Sequence, residues 1–141
     1  MRHQLVCAAA LGIVMLFPVH ALAGDKTPPA AVNNLTVGVG FHSAVPTWTD
    51  TGDDGTVGTA SSYEVRYSTS NITEANWNQA AVFCSGTPGA SGTNECCDGV
   101  ALSPGTSYYF AVRLTDDAHN ISPLSNVVHI TTHTSGNEVQ C

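Results

Sequence analysis

The sequence predicts an all-β domain built as a sandwich. Three observations point there. Beyond the first two dozen residues the chain is rich in Thr, Ser, Val, Gly and Asn. No segment repeats apolar residues at 3.6 spacing for three turns. Short strand-like runs alternate with turn clusters, the pattern of stacked sheets.

The elements follow in order. Residues 5–19 are an unbroken apolar run behind a basic start at Arg2, and Ala21-Leu22-Ala23 supplies a small-x-small cleavage pattern. A bilayer span takes about 20 apolar residues, so residues 1–23 read as a cleaved secretion signal. Thr27-Pro28-Pro29 is extended, because each proline fixes its own φ and keeps its predecessor out of the helical region. Residues 34–39 alternate, with Leu35, Val37 and Val39 on one face. Ala44–Thr49 is a second strand carrying Trp48; Pro46 within it points to an edge or a bulge, since proline donates no ladder bond. Residues 51–55 (Thr51 to Gly55) make a turn.

Ser62–Ser68 is the clearest strand, with Tyr63, Val65 and Tyr67 on one face and Glu64, Arg66 and Ser68 on the other. Residues 72–80 suit a single helical turn or an irregular strand with Trp77 tucked beneath. Residues 85–93 are a Gly/Ser/Thr/Pro loop. Residues 107–114 are a strand with Tyr108, Phe110 and Val112 inward, residues 126–132 are the last strand, and a flexible tail is expected over 133–141. One domain, 24–132, accounts for the rest.

Several motifs, in order, resemble bacterial fibronectin type III domains. They are Pro28-Pro29-Ala30-Ala31-Val32-Asn33-Asn34-Leu35-Thr36, Trp48, Gly52-Asp53-Asp54-Gly55, Gly58 to Tyr63, Arg66 to Ser70, Leu102 to Val112, and Ser122 to Val128. The resemblance covers about residues 27–132. It implies a seven-stranded immunoglobulin-like sandwich with Trp48 and Tyr67 in the core. It also implies a tyrosine corner, the Tyr108 hydroxyl bonding backbone near Leu102–Gly105. The departure lies between Phe83 and Leu102: an apolar strand is usual there, and this chain has Cys84, a Gly/Ser loop and Asn94-Glu95-Cys96-Cys97-Asp98-Gly99.

The chemistry is sparse. Without residues 1–23, only Lys26, Arg66 and Arg113 stand against 11 acids, a formal charge of −8. Three scattered cations exclude nucleic acid and anionic lipid as natural partners. Cys7 falls in the leader, leaving Cys84, Cys96, Cys97 and Cys141, an even set that argues for disulfides in an exported chain. A bond between adjacent Cys96 and Cys97 is strained, so Cys84 pairs with one of them and Cys141 with the other. Cys141 is also placed to link a second chain. A zinc site is disfavoured because adjacent cysteines lack the usual ligand spacing, and no Cys-x-x-Cys supports redox exchange.

Asp50, Asp53 and Asp54 offer hard oxygen ligands suited to calcium, but the alternation of an EF-hand loop is missing, so they read as a turn. Asp116-Asp117 beside Asn120 reads the same way. His42, His119, His129 and His133 read as exposed polar positions; His129 and His133 are about 13 Å apart if extended. Ser91 lacks a nucleophile elbow, and Glu64, Glu74 and Glu95 are too scattered for a carboxylate pair. Three Asn-x-Ser/Thr sites, at Asn34, Asn71 and Asn120, read as chance in a bacterial chain.

The functional expectation is a non-catalytic module without cofactor or metal, secreted, cell-surface or periplasmic, that docks onto another envelope or extracellular protein or self-associates. Its contact surfaces would be the Cys84–Cys97 insertion and an edge strand with the tail. The alternative is a carbohydrate-binding module using Trp77, Tyr109 and Phe41, with Trp77 as the discriminator: buried for docking, exposed for sugar. A weaker alternative is an enzyme site uniting His119, Asp116 and Cys97.

Overall fold

The computed structural model describes residues 24–141; the secretion-signal reading of residues 1–23 lies outside the described residues. Seven strands form two antiparallel sheets. They are β1 (Thr36–Val39), β2 (Ala44–Thr49), β3 (Ser62–Ser68), β4 (Ala81–Gly86), β5 (Asn94–Cys96), β6 (Ser107–Thr115) and β7 (Val128–Thr131). One sheet runs β1-β2-β5 and the other β4-β3-β6-β7. This is the sandwich that the sequence predicts.

Alternation sets the core. Leu35 just before β1 and Val37 and Val39 within it turn inward, as do Trp48 from β2, Tyr63 and Val65 from β3, and Phe110, Val112 and Leu114 from β6. Trp48, 1% exposed, meets the Tyr63 ring edge-on at 4.9 Å. Half-buried Tyr67 lies among Phe83, Tyr108 and Phe110, with centroids 5.7–6.1 Å away. Such offset and edge-on pairs add to area burial because each ring's positive edge faces a negative face. The Tyr108 hydroxyl accepts from Ser103 N at 3.2 Å, tying β6 to the turn that feeds it.

Two local expectations are corrected and one alternative is resolved. Pro46 marks no edge: β2 is the central strand of its sheet. The Pro46 carbonyl accepts from Cys97 N at 3.3 Å, and its nitrogen faces the same side, where the β5 ladder already ends at Cys96. No donor is required there. Second, residues 85–86 continue β4 instead of opening a loop, and residues 94–96 form β5. Of the two forms open to residues 72–80, the single helical turn is the one found, as a 3-10 turn over Trp77–Gln79 with Trp77 buried.

The last strand also starts later than expected. Pro123 has no N–H for the ladder, and serine hydroxyls complete it: Ser122 Oγ accepts from Leu114 N at 3.1 Å and Ser125 Oγ from Val112 N at 2.9 Å. Both serines are buried, where an unpaired backbone amide would be costly. Asn126 then clamps the entry to β1, its side chain bonding both Leu35 N and Leu35 O at 2.9 Å.

Replacing Tyr108 by Phe removes only the hydroxyl and leaves the Ser103 amide without that partner. Urea unfolding should show a loss of about 1 kcal/mol with an unchanged m-value; an unaltered midpoint would mean that the corner does not contribute.

Candidate interaction surface

The two adjacent cysteines organise one end of the sandwich. Cys97 pairs with Cys84 of β4 and Cys96 with Cys141, with Cα separations of 6.4 and 5.8 Å. Of the two pairings the sequence leaves open, this one follows from strand geometry: neighbouring side chains point to opposite faces. Cys97 is 6% exposed and joins the core, so the first bond ties one sheet to the other. Cys96 is half-buried and reaches outward to exposed Cys141.

That second bond holds the C-terminal segment against the domain, so the expected flexible tail is instead a strap. Phe41 N donates to Asn137 O at 3.3 Å, and His42 N donates to the Glu138 carboxylate at 2.9 Å. Val139 N donates to Ser43 Oγ at 2.8 Å and Cys141 N to Asp98 Oδ1 at 2.8 Å. Hydrogen bonds from Ser43 and His42 hold the Glu138 carboxyl below the usual range. Between strap and domain lies a cleft of about 290 Å³, walled by Ala44, Phe83, Val100 and Ala101 on one side and by Glu138 and Val139 on the other.

Trp77 is 7% exposed and lies on the outer face of the β4-β3-β6-β7 sheet, between two arginines. Arg66 and Arg113 lie 5.0 and 4.9 Å from its ring, close enough for cation–π attraction. Arg66 also donates to Trp77 O at 2.9 Å and pairs with Glu64, while Arg113 pairs with Glu74. Burial and the neighbouring Arg66 push the Arg113 guanidinium down. Ile72, Ala80 and Ala111 complete this second apolar cluster, so β6 is buried on both faces at Ala111. Trp77 is therefore buried, the state expected for docking, and not exposed as expected for sugar stacking. Tyr109 is half-buried and stacks on exposed His129 at 4.5 Å, and Phe41 is half-buried beside His42 at 4.0 Å.

The acidic residues separate. Asp50, 3% exposed, accepts from Trp48 Nε1 at 2.9 Å and from Gly89 N at 2.7 Å. Burial raises its carboxyl, and those two bonds oppose the rise. It thus pins the loop over 87–93 and does not group with Asp53 and Asp54. Those two sit instead with Asp25, which also neighbours Asp116 and Asp117; within each trio the carboxylates lie within 4.8 Å of one another. Burial and the charges of Asp117 and Asp116 raise Asp53, and the Asp25 charge and burial raise Asp54. The sequence missed Asp25, which is distant along the chain.

Two members of the enzyme constellation, Asp116 and Cys97, are engaged in structural bonds. Asp116 is bound at both carboxylate oxygens by Asn120, at 2.7 Å each, and Cys97 is held in its disulfide at the braced end. His42 Nδ1 lies 3.1 Å from Leu102 O, and His133 N donates to Gly40 O at 3.0 Å.

The sequence matches no protein-family model and no curated protein. Its fold matches solved fibronectin type III domains. One domain of human fibronectin type III domain containing protein 3 aligns with a TM-score of 0.58 at 15% identity, over 80% of this chain and 94% of that one. The 6th such domain of that human protein aligns at 0.53 and 18%, over 83% and 97%. The FN1-FN3 segment of chicken CNTN1 aligns at 0.55 and 20%, over 75% of this chain and 33% of that one. These likenesses show the fibronectin type III fold.

Two outcomes test this arrangement. Trp77→Ala should lower stability by about 3–5 kcal/mol in denaturant unfolding, as for a buried aromatic ring, and a change near zero would mean that the ring is not packed. Because the folded protein holds protons at Asp53 and Asp54 more tightly than the unfolded chain, their contribution is full below the ordinary carboxylate range and is lost as pH rises through the raised values. Asp54→Asn should accordingly raise Tm at pH 7 in low salt, with the gain shrinking at high salt and at acid pH. A drop in Tm at pH 7 would contradict the repulsion.

Proposed function

We propose that this fibronectin type III fold serves as a non-catalytic, exported contact module that docks onto another envelope or extracellular protein through its disulfide-braced end. One observation carries the reading. Cys96 and Cys97 staple that end in two directions, which holds a non-repetitive surface and its cleft rigid at little entropic cost to binding. The fibronectin type III relatives lend weight to an extracellular interaction role. Two disulfides suit an oxidising compartment, and no helix among the described residues is long and apolar enough to cross a membrane.

The carbohydrate alternative has less support, since Trp77 is enclosed by Arg66 and Arg113. The catalytic one has less still, since Cys97 is oxidised in its bond to Cys84. Self-association through the same end is a version of the docking reading, not a rival to it.

Exposed Val100 on the cleft and exposed Val57 near the acidic end provide the test. With the protein used as bait on the extracellular and envelope fractions of the producing cell, Val100→Asp should reduce capture of a defined partner at least about tenfold. Val57→Asp should not. Equal loss from both variants, or specific binding on a glycan array, would overturn the proposal.

A further inference from the structure

The two disulfides differ in what they hold and in who can reach them. Cys84–Cys97 joins the sheets, with Cys97 in the core. Cys96–Cys141 lies outside, and Cys141 is exposed. Thiol–disulfide exchange needs a thiolate to reach a sulfur along the S–S axis, so access orders the reactions. An incoming thiol meets Cys141 first.

What the outer bond secures is slight without it. The strap over 137–141 is hydrogen-bonded to the domain at Phe41, His42, Ser43 and Asp98, and water competes for the exposed bonds at His42 and Asp98, while the one at Ser43 is partly buried. Its approach runs through exposed Thr134-Ser135-Gly136, where Gly136 has φ +121°, backbone suited to a hinge. The β1–β2 turn, Gly40 to Ser43, lies directly under the strap, and the strap supplies one wall of the cleft.

We propose that Cys96–Cys141 is a redox latch: an external dithiol opens it selectively, releasing the strap and uncovering the β1–β2 turn and one wall of the cleft. The dithiol's thiolate attacks Cys141 Sγ, forming a mixed disulfide while Cys96 leaves as a thiolate and takes a proton from water. The dithiol's second thiolate then attacks its own mixed disulfide sulfur, expelling Cys141 as a thiolate that is protonated in turn. The dithiol ends as a disulfide, and the protein has gained two electrons and two protons. Cys84–Cys97 remains closed, so the sandwich persists. This device goes beyond the docking reading and does not depend on it.

The test uses the oxidised protein over residues 24–141, exposed for timed intervals to dithiothreitol and quenched with iodoacetamide. Peptide mass spectrometry should find Cys96 and Cys141 labelled at least about tenfold faster than Cys84 and Cys97. At that stage hydrogen exchange at the Phe41, His42 and Val139 amides should quicken about tenfold or more, with the Val65 and Val112 amides unchanged. A Cys96→Ser, Cys141→Ser double variant should show the same fast strap exchange with no reductant. Simultaneous or reversed opening of the two bonds would overturn the latch. So would strap amides that keep their protection after Cys96 and Cys141 are alkylated, or in the double variant.

Discussion

Every layer of this molecule is laid against β6. Its inner side chains, Phe110, Val112 and Leu114, are fully buried against the opposing sheet. Its edges pair with β3 along seven residues and with β7 along four. Its outer face carries the Trp77 cluster, and its two ends carry the tyrosine corner and the Asp116 turn. A strand buried on both faces must have every backbone amide satisfied. That demand explains Ser122 and Ser125, whose hydroxyls take up the amides that a proline-interrupted neighbour leaves open.

The same economy governs charge. Acids outnumber cations heavily, yet two of the three cations outside residues 1–23 flank one indole ring. Each is matched by a glutamate, Glu64 or Glu74, and Glu74 additionally accepts from Leu124 N at 2.7 Å. The arginines thereby hold a loop on a sheet face that an isolated sandwich would leave wet. At the opposite extreme, Asp25, Asp53 and Asp54 gather like charge at one end, a cost in repulsion that the fold sustains through its core.

The braced end shows how one short covalent motif sets a surface. Adjacent cysteines cannot both point inward from an extended backbone. One therefore serves the core and the other faces solvent, and the partner of the outer one fixes where the strap lies. The inner bond closes a short loop, which restricts the unfolded chain and stabilises the native one by about 3 kcal/mol in the chain-entropy view. The outer bond closes a longer loop that contains β6 and β7, so in the same view it restricts the unfolded chain at least as strongly, and in the folded one it also fixes the strap.

Much of the fold was legible from one chain. Alternation in 62–68 and 107–114 locates β3 and the inner face of β6, because a period of two leaves little choice of which side is buried. The inward set from β1 and the place of Trp48 follow from the same rule. Four cysteines allow three pairings, and the strain of joining adjacent Cys96 and Cys97 leaves two. Tertiary structure decided the rest, and always for a reason of distance. Pro46 is harmless because the neighbouring strand stops beside it. Asp50 stands apart from Asp53 and Asp54 because Trp48 and Gly89 hold its two oxygens. Asp25 joins the acidic cluster, and Arg66 and Arg113 close on Trp77, from positions far apart in the chain. The tail becomes a strap because Cys96 lies within reach of Cys141. Local periodicity reports which face of a strand is apolar; only the folded chain determines which polar groups meet, since these contacts join residues that no local pattern connects.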